Sequence, residues 1–193
     1  MGSYAVFLRG INVGGINIKM AGLREALKAA GFADARTLLA SGNVVLTSTL
    51  DAAAVKRECE KCLRMAYGYD AWVVVLDAAR VAELVAACPY PDDDKTTHTY
   101  ITLSSDEAML DELDAAGAVL EGNQQARLGP EALAWLAPAG GTLDSPFSKI
   151  SAKPRFKATT TTRNLRTLIK VRDAAAELTA SAANPGADSV RKG

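Results

Sequence analysis

The order in which short apolar runs alternate with amphipathic stretches constrains this chain more than any other feature. Tyr4-Ala5-Val6-Phe7-Leu8 and Trp72-Val73-Val74-Val75-Leu76 have the make-up of central strands. Between them lies a helical pattern over 20–31, with Leu23, Ala26, Leu27 and Ala30 on one face and Gly31 as its stop. Strands over 36–40 and 43–48 flank the turn signal Ser41-Gly42, and a second helix covers 51–66. With strands over 4–9 and 71–76 at its ends, the order is βαββαβ, the ferredoxin-like arrangement.

The same order recurs in the second half. After a short helix near 78–87, the loop Pro89-Tyr90-Pro91-Asp92-Asp93-Asp94-Lys95 punctuates the chain. A strand over 98–103, a helix over 106–116 and strands near 124–128 and 132–136 follow, with Gly129-Pro130 as the hairpin turn. A short helix near 146–152, a strand near 156–161 and a last helix from about Arg163 complete the pattern. The fold class expected is therefore α+β, with two ferredoxin-like subdomains and a C-terminal helix. The first subdomain spans 1–77, a connecting helix and linker 78–96, and the second subdomain with its helix 97–173. The Ala-, Ser-, Pro- and Gly-rich stretch 174–193 reads as a flexible tail.

The first strand runs into Arg9-Gly10-Ile11-Asn12-Val13-Gly14-Gly15-Ile16-Asn17-Ile18-Lys19, just ahead of the first helix. Glycines let a backbone turn its N–H groups toward a ligand, and a helix N-terminus carries partial positive charge. Arg9, Asn12, Asn17 and Lys19 add side-chain donors to the same segment, so Arg9, Gly10, Asn12, Gly14, Gly15, Asn17 and Lys19 are candidates for holding an anion. In a βαββαβ sheet with right-handed crossovers, the loop after strand one and the hairpin after strand two share one rim. Ser41, Gly42 and Asn43 should therefore neighbour this loop. The loop matches neither GxGxxG nor a P-loop ending in Gly-Lys-Ser/Thr. Glycine and asparagine are also ordinary turn formers, and Arg9 could pair with a carboxylate across the rim.

Leu8-Arg9-Gly10-Ile11-Asn12-Val13-Gly14-Gly15, Lys19-Met20, Leu23-Arg24 and Ser41-Gly42-Asn43-Val44-Val45 together resemble the signature of the DUF1697 family, bacterial proteins of unknown function. The resemblance continues at Ser148-Lys149 and Thr161-Thr162-Arg163-Asn164, and it covers most of residues 4–172. It implies a fold of two ferredoxin-like α+β subdomains and brings no reaction with it. The chain departs from the family's usual pattern in two places. Leu165 and Arg166 stand where tryptophan and asparagine commonly follow the Arg-Asn pair, and Ala40 stands where glutamine commonly precedes Ser-Gly-Asn.

A second basic constellation gathers Ser148-Lys149, Lys153, Arg155 and Lys157, followed by a threonine row leading to Arg163-Asn164. Thr162 reads as an N-cap for the last helix. If the subdomains face each other, Lys149, Thr162, Arg163 and Asn164 would close the pocket begun by Arg9. Three functions compete. The first is binding of a phosphorylated small molecule or nucleotide, with Arg9 and Lys149 neutralising the phosphate. The second, nucleic-acid binding, is weakened by zero net charge and by a third strand without aromatics, leaving only Tyr4 and Phe7 on strand one. The third is a protein-interaction or regulatory module without a ligand.

Catalysis finds no committed residue. Ser41 reads as a turn residue and His98 as a surface histidine. No cofactor is expected. Cys59 and Cys62 fall inside a helix on its apolar stripe with Val55 and Leu63, not at a helix start, so they and Cys88 read as core thiols and no metal site is expected. The triple aspartate lacks the alternating ligands and glycine bend of a calcium loop, and reads as a solvated linker. No apolar stretch reaches the length of a membrane span, and Met1-Gly2-Ser3 leads straight into a strand, so a cytoplasmic protein is expected.

Overall fold

The computed structural model describes residues 1–10, 17–68, 70–92 and 95–183. Its first half holds β1 (Gly2–Leu8), α1 (Met20–Ala29), β2 (Arg36–Leu38), β3 (Asn43–Ser48), α2 (Ala52–Tyr67) and β4 (Val73–Asp77). α3 (Ala78–Ala87) leads to β5 (Thr97–Ser104), α4 (Glu107–Ala118), β6 (Gln125–Gly129) and β7 (Ala132–Pro138). A 3-10 turn at Thr142–Asp144, α5 (Pro146–Ser151), α6 (Pro154–Lys157), β8 (Thr160–Asn164) and α7 (Leu165–Ala183) follow. Two four-stranded antiparallel sheets result, ordered β2-β3-β1-β4 and β6-β7-β5-β8. Each has its first strand paired between its third and fourth, so the ferredoxin-like order expected from the sequence is present twice.

Apolar residues at alternate strand positions divide the interior into three layers. Val6, Leu8, Val44 and Leu46 face α1 and α2, where Leu23, Leu27, Val55 and Leu63 complete an outer core. Leu133 and Trp135 face α4 and α5 on the far side of the second sheet, packed with Leu110, Leu113 and Phe147. Between the sheets, Ala5, Phe7 and Val45 of the first share a core with Ile101, Leu103 and Ala134 of the second. Helices α3 and α7 lie in this shared layer, contributing Val81 and Leu84 from one and Leu168, Val171 and Leu178 from the other. Both faces of both sheets are therefore covered.

Three expectations need correction. The helix α7 runs on to Ala183, and its Ala175 and Leu178 are buried in the shared core, so residues 174–183 are not a frayed tail. Burial of a helical stripe at Leu168, Val171, Ala175 and Leu178 outweighs the weak composition of that stretch. The last strand sits later than expected, at Thr160–Asn164, because 154–157 forms the short helix α6. Thr162 consequently lies inside a strand and is not a helix cap. Asn164 takes that part, its Oδ1 accepting the Arg166 N–H at 2.8 Å. Residues 184–193 of the expected tail, and Asp93 and Asp94 of the triple aspartate, lie outside the described residues.

The thiols fall where the stripe argument puts them. Cys59 and Cys62 are buried in the outer core, and burial pushes the Cys59 thiol from 9.0 up to about 12. Cys88 is half-buried against the shared core. His98 is half-buried at the start of β5 rather than on the open surface. Among the described residues, no helix is long and apolar enough to cross a membrane.

Candidate functional site

The end of β1 and the β2–β3 hairpin meet at one rim, as the topology requires. The Leu8 N–H donates to the Gly42 carbonyl at 2.8 Å, and the Arg9 N–H donates to the Trp72 carbonyl at 3.1 Å on the other side. The hairpin closes through Gly42 at φ 73, a left-handed conformation that a side chain would strain. Leu39 nonetheless adopts φ 58 in the same turn, so backbone strain is held at this rim.

Into the rim comes β8 from the second subdomain. Arg163 pairs in register with Ile101, whose side chain lies in the shared core, so Arg163 points between the sheets toward the first subdomain. Its guanidinium is almost wholly buried and every N–H of its fork is occupied. Nε donates to Asn43 Oδ1 at 2.6 Å. Nη1 donates to Thr161 Oγ1 at 2.7 Å and to the Thr162 carbonyl at 2.9 Å. Nη2 donates to the carbonyls of Leu8 at 2.5 Å, Ser41 at 3.0 Å and Gly42 at 3.3 Å. Asn43, fully buried, is held in turn by donating from Nδ2 to the Leu38 carbonyl and Ser41 Oγ, each at 3.0 Å. The Phe7 ring lies 5.9 Å from the guanidinium carbon.

Arg9 is different. It is half-buried, and its Nη1 donates to the Thr160 carbonyl at 2.5 Å, its one side-chain hydrogen bond among the described residues. Burial lowers the pKa of both arginines, and the charge of Arg9 pushes Arg163 further, from 12.5 down to about 10. Among the described residues, no carboxylate forms an ion pair with either. Two cations thus share a partly dry rim, and what offsets Arg163 is a ring of carbonyl, amide and hydroxyl oxygens, all neutral.

The other candidates distribute as follows. Gly10 is exposed at φ 73, and Asn17 and Lys19 are exposed ahead of α1, with Lys19 at its N-cap position. Ser41 is exposed at the hairpin tip. Asn12, Gly14 and Gly15 lie outside the described residues. Thr162 does not face the rim, because it alternates with Arg163 and its Oγ1 meets Thr102 Oγ1 at 2.9 Å on the outer face of the second sheet. Lys149 is exposed on α5, which rests on that outer face, so its helix is seated away from Arg163. Sequence reasoning missed Thr160 and Thr161, which receive Arg9 and Arg163, and also Trp72, directly across the strand pair from Arg9. A tryptophan at the first position of a strand that must neighbour strand one was the available signal.

This geometry defines a two-subdomain α+β protein joined through a buried arginine at a shared rim. The chain belongs to the DUF1697 family, described as "Protein of unknown function (DUF1697)", whose family model matches residues 1–133. Among solved structures it is similar to the conserved bacterial protein SP0830 from Streptococcus pneumoniae, with a TM-score of 0.75 and 21% identity. That likeness covers 91% of this chain and 99% of the other, and it speaks for the fold. None of the curated proteins compared matches the chain.

Proposed function

We propose that the rim around Arg9 binds an anionic, phosphate-bearing small molecule. The observation that carries this reading is the pair of adjacent guanidiniums, one buried and one half-buried, with no carboxylate paired to either among the described residues. In the reduced dielectric of such a rim, like charges raise each other's free energy, and an incoming anion relieves both. The division of labour follows from hydrogen bonding. Arg163 has no N–H to spare, so it supplies fixed positive charge and rigid positioning. Arg9 supplies the donors. Gly10 and the hairpin around Ser41 flank the approach.

Binding on an open sheet face, the mode of RNA-recognition modules, finds no support, since Tyr4 and Phe7 of β1 are buried and both faces of both sheets are covered. The reading is confined to binding.

Thermal unfolding tests it. Wild type and Arg9→Ala are heated with inorganic phosphate, sugar phosphates and nucleotides at high concentration. A ligand at a hundred times its dissociation constant adds about 2.7 kcal/mol, a rise of roughly 5–10 °C in a chain of this size. The expected result is a rise in wild type that disappears in Arg9→Ala. Silence across the panel with a folded mutant overturns the reading and favours a protein-interaction module.

A further inference from the structure

Resting on that reading, we infer that the ligand carries a flat aromatic ring beside its negative group, and that Trp72 receives the ring: the site takes a nucleoside phosphate. In the ladder between β1 and β4, Leu8 stands opposite Val73. The bond from the Arg9 N–H to the Trp72 carbonyl, 3.1 Å, extends that ladder by one step. Arg9 and Trp72 are therefore directly opposed, a relation that puts Cβ atoms about 4.5–5.5 Å apart.

They also share a face. Ala71 and Val73 both point into the outer core of the first sheet, so Trp72 between them points to the other side. Arg9 lies on that same side, since Ala5 and Phe7 before it are in the shared core and its guanidinium reaches the Thr160 carbonyl. Trp72 is 44% exposed, whereas the other tryptophan, Trp135, is 2% exposed and stacked on Tyr100 at 4.9 Å.

A single exposed aromatic is ordinary on a protein surface. This one stands across a strand pair from a half-buried cation that, among the described residues, uses only one of its side-chain donors. A simple phosphate would engage the cation alone and leave the indole wet. A nucleotide places its phosphate on Arg9, with Arg163 behind it, and lays its base over the indole. Stacking on an aromatic side chain tolerates any base, because every base has a π face. The same chemistry is offered by a free mononucleotide and by the phosphorylated end of a strand.

Calorimetric titration of the intact protein separates these cases, using AMP, UMP, ribose 5-phosphate and a 5′-phosphorylated tetranucleotide. The nucleotides should bind about tenfold or more tighter than ribose 5-phosphate and quench the exposed indole's fluorescence. Trp72→Ala should erase that preference, Trp72→Phe should restore most of it, and Arg9→Ala should abolish binding of all four. A tetranucleotide binding no tighter than AMP assigns the site to free nucleotides, and one binding tighter assigns it to strand ends. Equal affinity for AMP and ribose 5-phosphate, or an unchanged preference in a folded Trp72→Ala, overturns the ring assignment and leaves the anion reading standing. No binding of any phosphate overturns both.

Discussion

Replacing Arg163 by methionine removes the clamp between the subdomains while keeping an unbranched apolar stem of similar length. The cost can be worked from the geometry. Arg163 donates to six acceptors, Asn43 Oδ1, Thr161 Oγ1 and four carbonyls, using every N–H it has. A hydrogen bond from a charged donor contributes about 1.5–3 kcal/mol net, so five donors at the low end amount to about 7 kcal/mol. Against this stands relief of the buried charge. A fall from 12.5 to about 10 corresponds to about 3 kcal/mol at ~1.4 kcal/mol for each pH unit. The difference is about 4 kcal/mol of destabilisation, a large share of the roughly 5–15 kcal/mol that holds a domain folded. Urea denaturation followed by circular dichroism reads it from the shift in midpoint, provided the slope is unchanged. Arg163→Lys keeps the charge but not the planar fork, and should recover less than half of the loss. A double-mutant cycle with Asn43→Ala should show coupling of about 1–3 kcal/mol. A loss below about 1 kcal/mol in Arg163→Met would refute the clamp, because six acceptors, most of them buried, would then have been abandoned at almost no cost.

Two other perturbations probe the fold that positions the rim. Cys59 ionises at 9.0 in the unfolded chain and at about 12 in the folded protein, so its contribution to stability is fully present below pH 9 and is lost as pH climbs toward 12. The unfolding free energy of wild type minus that of Cys59→Ala should therefore shrink by about 1–2 kcal/mol between pH 8 and pH 10.5, at ~1.4 kcal/mol per pH unit; a constant difference would mean the thiol is not dry. Leu178, 3% exposed near the end of α7, should cost about 2–4 kcal/mol on truncation to alanine, measured by the same urea titration. A change below about 0.5 kcal/mol would show that the last turns of α7 do not dock.

Why some of this was legible in the sequence and some was not comes down to which interactions are local. Strand runs such as Trp72–Leu76 and the stripe Val55, Cys59, Cys62, Leu63 report their own burial, since period and apolarity set which face turns inward. The shared rim of Arg9 and Ser41–Asn43 was also legible, because strand order and crossover hand fix it before any side chain is placed. The end of α7 was misread for the opposite reason. Its alanine-rich stretch has little pattern, and contact with the distant α3, β1 and β3 is what makes α7 a docked helix. Thr162 and Arg163 show the limit most sharply. Neighbours in sequence, they go to opposite faces of β8, one to Thr102 and the other to Asn43. With the strand expected to end near 161, both fall at the start of the last helix, where they could share the rim; a strand running over Thr160–Asn164 separates them by its alternation.

The two arginines cross the boundary between the subdomains in opposite directions. Arg9 leaves the first to meet the Thr160 carbonyl of the second, while Arg163 leaves the second to hold the Leu8, Ser41 and Gly42 carbonyls of the first. Their bonding is unequal, and that inequality bears on the proposed site. An anion drawing Arg9 from Thr160 would exchange one bond to a neutral carbonyl for bonds to a charged acceptor, at little structural cost. The same anion could recruit Arg163 only by stripping it from the strand-end carbonyls of Leu8, Ser41 and Gly42, giving up charge-assisted bonds that tie the two subdomains together. Ligand binding should therefore leave the strand ends where they are and move chiefly the Arg9 side chain. A site of that kind loses little on binding to reorganisation, because its fixed charge is already held in place by the fold.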